Sequence, residues 1–190
     1  MGFVELFALA VGLSMDAFAV SVCKGLSMKK AGLKGMATCG IWFGGFQALM
    51  PLIGFLLGSL FARQIEAVDH LIAFALLVFI GLNMLREAIT KPSSCDYEAG
   101  ADFSAKTMFT MAVATSIDAL AVGVSLAFAG NVNIWAAIAL IGATTYALSA
   151  AGVKIGSIFG DKYEKKAQIA GGVILIILGF KILLEHLGVL

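Results

Sequence analysis

Six stretches of roughly 20 mostly apolar residues, at 3–23, 36–60, 69–89, 107–129, 133–157 and 168–188, leave this chain few folds to choose from. A helix of about that length crosses the hydrocarbon of a bilayer. In lipid, only helices and closed barrels satisfy their own backbone polar groups. The breaks between stretches are charged or turn-forming: Lys24 to Lys34 with four lysines, Arg63 to Asp69, Asn131-Val132-Asn133, and Asp161 to Lys166. Lys91-Pro92-Ser93-Ser94 opens a polar linker that runs to about Lys106. With 61% hydrophobic and 13% charged residues, the chain reads as an all-α integral membrane protein of six transmembrane helices.

Charge excludes some functions and orients the spans. A net charge of +1 offers no electrostatic reason to expect nucleic acid. No P-loop pattern occurs, and the 91–106 linker is too short for a nucleotide-binding module. The first stretch lacks a basic leader, carries Glu5 and holds Asp16 in its middle, so it reads as a retained helix rather than a signal peptide. Loops 1–2, 3–4 and 5–6 collect nearly all the lysines, with little beyond Arg63 on the other side. The positive-inside rule then places both termini outside the cytoplasm.

The chain also repeats itself. Ser14-Met15-Asp16-Ala17-Phe18-Ala19-Val20 in span one returns as Ser116-Ile117-Asp118-Ala119-Leu120-Ala121-Val122 in span four. Gly44, Gly54, Gly58, Ser59 and Phe61 line up with Gly142, Gly152, Gly156, Ser157 and Phe159, and Gly81 and Glu87 with Gly179 and Glu185. Three spans per copy make the second copy enter the membrane from the opposite side. The expectation is a single membrane domain of two inverted three-helix repeats, 1–90 and 107–190 around the polar linker, with a site near the midplane.

The two aspartates mark that site. An Asp at the centre of a membrane helix costs about 2.5–3.5 kcal/mol on insertion scales. Two carboxylates brought together in a low-dielectric interior cannot both ionise without a cation between them, so a metal ion and protons compete for Asp16 and Asp118. Gly12, Ala19, Ala114 and Ala121 flank them and allow close helix approach. Ser14 and Ser116, two residues before the aspartates, lie on the opposite side of a straight helix and join the site only if the helix is broken there. In span two, Pro51 displaces the carbonyl of Gln47, and the Gln47 amide adds another oxygen at membrane depth. Thr145 holds the equivalent place in span five, beside Thr144. An oxygen-dominated set suits Mg²⁺ or Mn²⁺ better than copper or zinc.

Other residues read as structural. The Gly40/Gly44, Gly54/Gly58 and Gly152/Gly156 spacings point to helix packing. Of three cysteines, Cys23 and Cys39 fall in apolar runs, where cysteine behaves as a small hydrophobe, and with Cys95 the odd count suggests no disulfide framework. Cys23 and Ser125 lie one turn beyond the aspartates, either lining a path or satisfied by their own helix. Lys154, Lys181, Glu185 and His186 lie near helix ends, within snorkelling reach of the interface. His70 reads as interfacial, and Asn83 as an interhelical hydrogen bonder.

The two aspartate motifs, with Lys24-Gly25, Pro51-Leu52-Ile53-Gly54 and Gly123, resemble the MntP family of bacterial manganese efflux pumps, related to the LysE-type exporters. The likeness runs over essentially the whole chain. It implies secondary-active export of Mn²⁺ across the bacterial inner membrane, with Asp16 and Asp118 needed. Mn²⁺ is then cargo rather than cofactor, and the protein is not an enzyme. Its partners are the ion and the lipid bilayer, with a homo-oligomer left open. Some relatives carry glutamate at the place of Gln47, which would give this chain one charge fewer at the site. Two other readings stay open. Export of another cation or a basic amino acid would also neutralise two carboxylates. An intramembrane aspartyl protease also uses two aspartates, but its Gly-x-Gly-Asp context is absent here.

Overall fold

The computed structural model describes residues 2–26, 28, 32–62, 69–90, 103–129 and 132–159, with positions 169, 173–174, 176–177, 179–181 and 183–184. The described segments are helical: α1 (Phe3–Leu13), α2 (Met15–Leu26), α3 (Leu33–Ala62), α4 (Asp69–Thr90), α5 (Ala105–Thr115), α6 (Ile117–Phe128) and α7 (Ile134–Phe159). Several starts have a visible cause. Ser104 accepts the Thr107 amide at the head of α5, and Asn133 accepts the amides of Trp135 and Ala136 at the head of α7. Glu5 reaches back to the Gly2 amide at the start of α1.

Among the described residues, three segments are long and apolar enough to cross a membrane: Phe3–Leu26, Leu33–Leu60 and Ile134–Ile158. The α5–α6 pair makes a fourth, bent by 41°. Of the three, the first is the most deeply buried inside the protein. Exposed Phe3, Val4, Ile41, Leu60, Phe79 and Trp135 give the outer surface an apolar character that suits lipid. The described positions from 173 to 184 are also helical, and Lys181 forms an ion pair with Glu5 that ties this segment to α1.

Glycines set the helix spacing, as their sequence pattern predicts. The long helices α3 and α7 cross where a Cβ on Gly44 would lie 2.8 Å from the Gly142 carbonyl oxygen. Further along, α3 lies on α6: a Cβ on Gly54 would meet the Leu120 carbonyl at 2.0 Å, and one on Gly58 would reach Val124 at 3.1 Å. In the same manner α7 lies on α2: Gly152 abuts the Phe18 carbonyl, and Gly156 that of Val22. Phe18 and Leu120 each stand two residues after an aspartate of the repeated motif, and Val22 and Val124 six after it. Two apolar clusters fill the remaining space. One gathers Leu9, Leu13, Leu77, Val122, Leu126 and Ile141, and the other Ala17, Cys39, Phe43, Met108, Ala112 and Val153.

Two expectations fail near the end of the first span. The charge pattern puts Lys24 at the start of a lysine-rich break, yet α2 runs on to Leu26 and Lys24 is fully buried. Its ammonium stands 4.7 Å from the centre of the Phe103 ring, a face that a cation favours. Cys23, read as a small hydrophobe, is instead disulfide-bonded, while Cys39 is a buried free thiol. Local hydropathy does not separate a bonded cysteine from a small apolar residue. Ser125 donates to the Ala121 carbonyl and is satisfied by its own helix. Most of the 91–106 linker, the loops at 63–68 and 161–166, Cys95, Glu185 and His186 lie outside the described residues, as do the side chains of His70, Asn83 and Glu87.

Candidate ion site at two helix breaks

Both motif helices are broken one residue before the motif reaches its second position. Ser14 separates α1 from α2, and Ser116 separates α5 from α6. At the second break Ser116 has φ −110° and ψ 4°, and its amide turns back to the Val113 carbonyl in a tight three-residue step. At the first, the Ser14 amide is shared between the Ala10 and Val11 carbonyls. The break that Ser14 and Ser116 require to approach the aspartates is therefore present in both spans.

A helix that ends leaves its last carbonyls without intrahelical partners, and in an apolar interior each must find a donor. Gln47 supplies it. Its amide nitrogen donates to the Leu13 carbonyl at 3.1 Å and to the Thr115 carbonyl at 3.0 Å. Leu13 and Thr115 are the last residues of α1 and α5, so one side chain from α3 holds both breaks together. Gln47 is fully buried, and its amide oxygen Oε1 has no protein partner among the described residues. The same holds for the hydroxyl of Ser116.

Thr145 enters from α7. Its hydroxyl lies 2.7 Å from that of Ser14, and both are fully buried. The two hydroxyls also approach carbonyls of their own helices, Ala10 at 2.6 Å for Ser14 and Ile141 at 2.8 Å for Thr145. Asp16 and Asp118 occupy the first turns of α2 and α6, three residues beyond the carbonyls that Gln47 bridges, and both are half-buried. A carboxylate is favoured at a helix N-terminus, where amide dipoles present partial positive charge. All six residues singled out in the sequence thus belong to the two breaks or to the helices that bridge them. Among the described residues no group of three or more His, Cys, Asp or Glu gathers. A cation held here would draw on two carboxylates and on neutral oxygens, a donor set for a hard divalent ion.

Comparison with known proteins places the chain among relatives of one kind. A family model described as "Putative manganese efflux pump" matches residues 30–183. The chain belongs to the MntP family. Among curated MntP-family proteins, one named "Putative manganese efflux pump MntP" from Desulfitobacterium hafniense (strain Y51) is 55% identical over 190 residues, covering 100% of this chain and 98% of its own length. Proteins of the same name from Acetivibrio thermocellus and Campylobacter jejuni subsp. jejuni are each 54% identical, covering 100% and 98% of this chain and 94% and 98% of their own lengths. No solved structure matches the chain. Within this MntP-family chain, sequence reasoning missed the two bridged carbonyls. Leu13 and Thr115 are apolar and small polar residues like their neighbours, and what marks them is the backbone turn that follows. The serine at the head of each repeated motif was the one available signal.

Proposed function

We propose that this protein is a secondary-active exporter of Mn²⁺ in which Asp16 and Asp118 bind the ion at the two helix breaks. Gln47, Ser116, Ser14 and Thr145 supply neutral oxygens around them. The observation that carries this reading is the Gln47 bridge, which draws the two breaks together. The manganese-pump names of the full-length relatives support the choice of ion. A hard ion with oxygen ligands matches the residues at the breaks.

The transport reading takes the chain as two inverted three-helix repeats with both termini outside the cytoplasm. The recurrence of the glycine contacts supports it, since Gly54 on Leu120 and Gly152 on Phe18 use corresponding motif positions. On this arrangement the α2–α7 seam faces the cytoplasm and the α3–α6 seam the outside. Mn²⁺ arriving from the cytoplasm displaces protons from the aspartates, and protons arriving from outside release it. Ser14, Thr145 and Gln47 orient the breaks through their hydrogen bonds, and the glycine seams exclude water on either side.

Uptake of Mn²⁺ by inside-out membrane vesicles tests this. Wild type should accumulate Mn²⁺, faster with an imposed proton gradient, while Asp16→Asn and Asp118→Asn at matched expression should not. Wild-type vesicles that ignore Mn²⁺ but accumulate cadmium or a basic amino acid would replace the cargo. Indifference to the pH gradient would remove the proton coupling.

A further inference from the structure

Serines buried in helices ordinarily donate to the carbonyl one turn earlier, as Ser14 and Ser125 do here. Ser21 and Ser149 do not: both are fully buried, and neither hydroxyl has a protein partner among the described residues. They share one seam. The Ser21 Cβ lies 3.0 Å from the position a Cβ on Gly152 would take, and Ser149 sits one turn before Gly152 on the same face of α7. Ser14, at the break that opens α2, and Thr145 on α7, joined at 2.7 Å, stand seven residues before Ser21 and Gly152 respectively. The seam between α2 and α7 therefore runs from the Ser14 break, past Ser149, to Ser21 as a file of hydroxyls.

The corresponding seam between α3 and α6 is different. The positions that match Ser149 and Ser21 are Pro51 and Gly123, and a Cβ on Gly123 would lie 2.1 Å from the Pro51 carbonyl. That seam is packed backbone to side without a hydroxyl at either position. Close packing of this architecture therefore does not call for the two serines. A buried hydroxyl without a partner is costly, and alanine would avoid the cost. A partner from outside the protein accounts for both side chains.

We propose that Ser21 and Ser149 form a relay position for a partly hydrated divalent cation, between the aspartates and the end of α2. The proposal rests on the exporter reading and specifies the route by which the ion reaches its site. Hydroxyl oxygens replace part of the water shell of a hard cation without adding charge, so the ion is held there weakly and moves on to the carboxylates. Beyond Ser21, Gly25 packs on Val153 and Gly156 on Val22, so α2 and α7 must part at that end before the ion enters.

The test is the concentration dependence of Mn²⁺ uptake into inside-out vesicles for Ser21→Ala, Ser149→Ala and the pair, with Ser157→Ala as a control. Ser157 is outside the seam and satisfied by the Lys154 carbonyl. Loss of both hydroxyl contacts should raise the half-saturating Mn²⁺ concentration of the pair by at least about tenfold, with the maximal rate little changed. A merely structural role would lower the amount of active protein and leave half-saturation in place. In parallel, Ser21→Cys and Ser149→Cys are treated with a membrane-impermeant thiol reagent from the cytoplasmic face, the parent chain serving as blank. The new thiols should react, and Mn²⁺ should protect them. Unaltered half-saturation in the alanine pair, or thiols that Mn²⁺ does not protect, overturns the relay. Labelling needs no turnover, so it decides this question even if wild-type vesicles move no Mn²⁺, the result that would remove the exporter reading.

Discussion

Replacing Gln47 with methionine removes the bridge between the two helix breaks while keeping the length and most of the volume of the side chain. The magnitude follows from counting buried polar groups. Wild type satisfies the Leu13 and Thr115 carbonyls and leaves Gln47 Oε1 without a protein partner. The variant deprives both carbonyls of this donor and deletes that oxygen. An unsatisfied buried polar group costs about 1–3 kcal/mol, so two penalties against one relief leave a net loss of about 1–3 kcal/mol. Interhelical hydrogen bonds within membranes, at roughly 0.6–1.7 kcal/mol each, give a similar total for two bonds. Reversible unfolding of the purified protein in detergent micelles, with and without Mn²⁺, measures this. On the proposed site, Mn²⁺ would give Oε1 a partner in wild type alone, so the gap between the two proteins should widen when the ion is added. A variant within about 0.5 kcal/mol of wild type under both conditions would show that the bridge neither holds the breaks nor faces the ion.

Gln47→Glu sets a carboxylate oxygen where a donor nitrogen faced two carbonyls, so the metal-free protein should unfold more readily, and saturating Mn²⁺ should stabilise it more than it stabilises wild type. Gly54→Ala, whose new Cβ would lie 2.0 Å from a backbone oxygen, should lower stability by about 1–3 kcal/mol or more in the same unfolding assay. Gly45→Ala, with open space at that position, should be neutral or more stable by about 0.5–1 kcal/mol. The Glu5–Lys181 pair, with side chains 18% and 40% exposed, should show a coupling below about 1 kcal/mol in a double-mutant cycle. That coupling should shrink further in high salt.

Much of the helical layout was legible because hydropathy reports burial in lipid directly. The ends of α3 and α7 follow from that signal, and the glycine crossings from the spacing of Gly40/Gly44, Gly54/Gly58 and Gly152/Gly156. The aspartate motifs were conspicuous because a carboxylate is costly where they stand. The breaks at Ser14 and Ser116 were legible only as a condition, since neither stands at a proline or glycine and the apolar pattern runs through them. The Gln47 contacts span 34 and 68 residues of sequence, so no local pattern announces which carbonyls it takes. Lys24 misled for a related reason: charge suggested a loop, but tertiary packing under Phe103 gave its ammonium an aromatic face and its stem a buried course.

The central claim is that the two breaks make one ion site. Binding of Mn²⁺ to the purified protein, followed by loss of the free-ion electron paramagnetic resonance signal, tests it most directly in wild type, Asp16→Asn and Asp118→Asn. A shared site predicts a single bound ion in wild type and loss of that ion in either variant alone. Two ions in wild type with one surviving in each variant, or binding untouched by both substitutions, would contradict it.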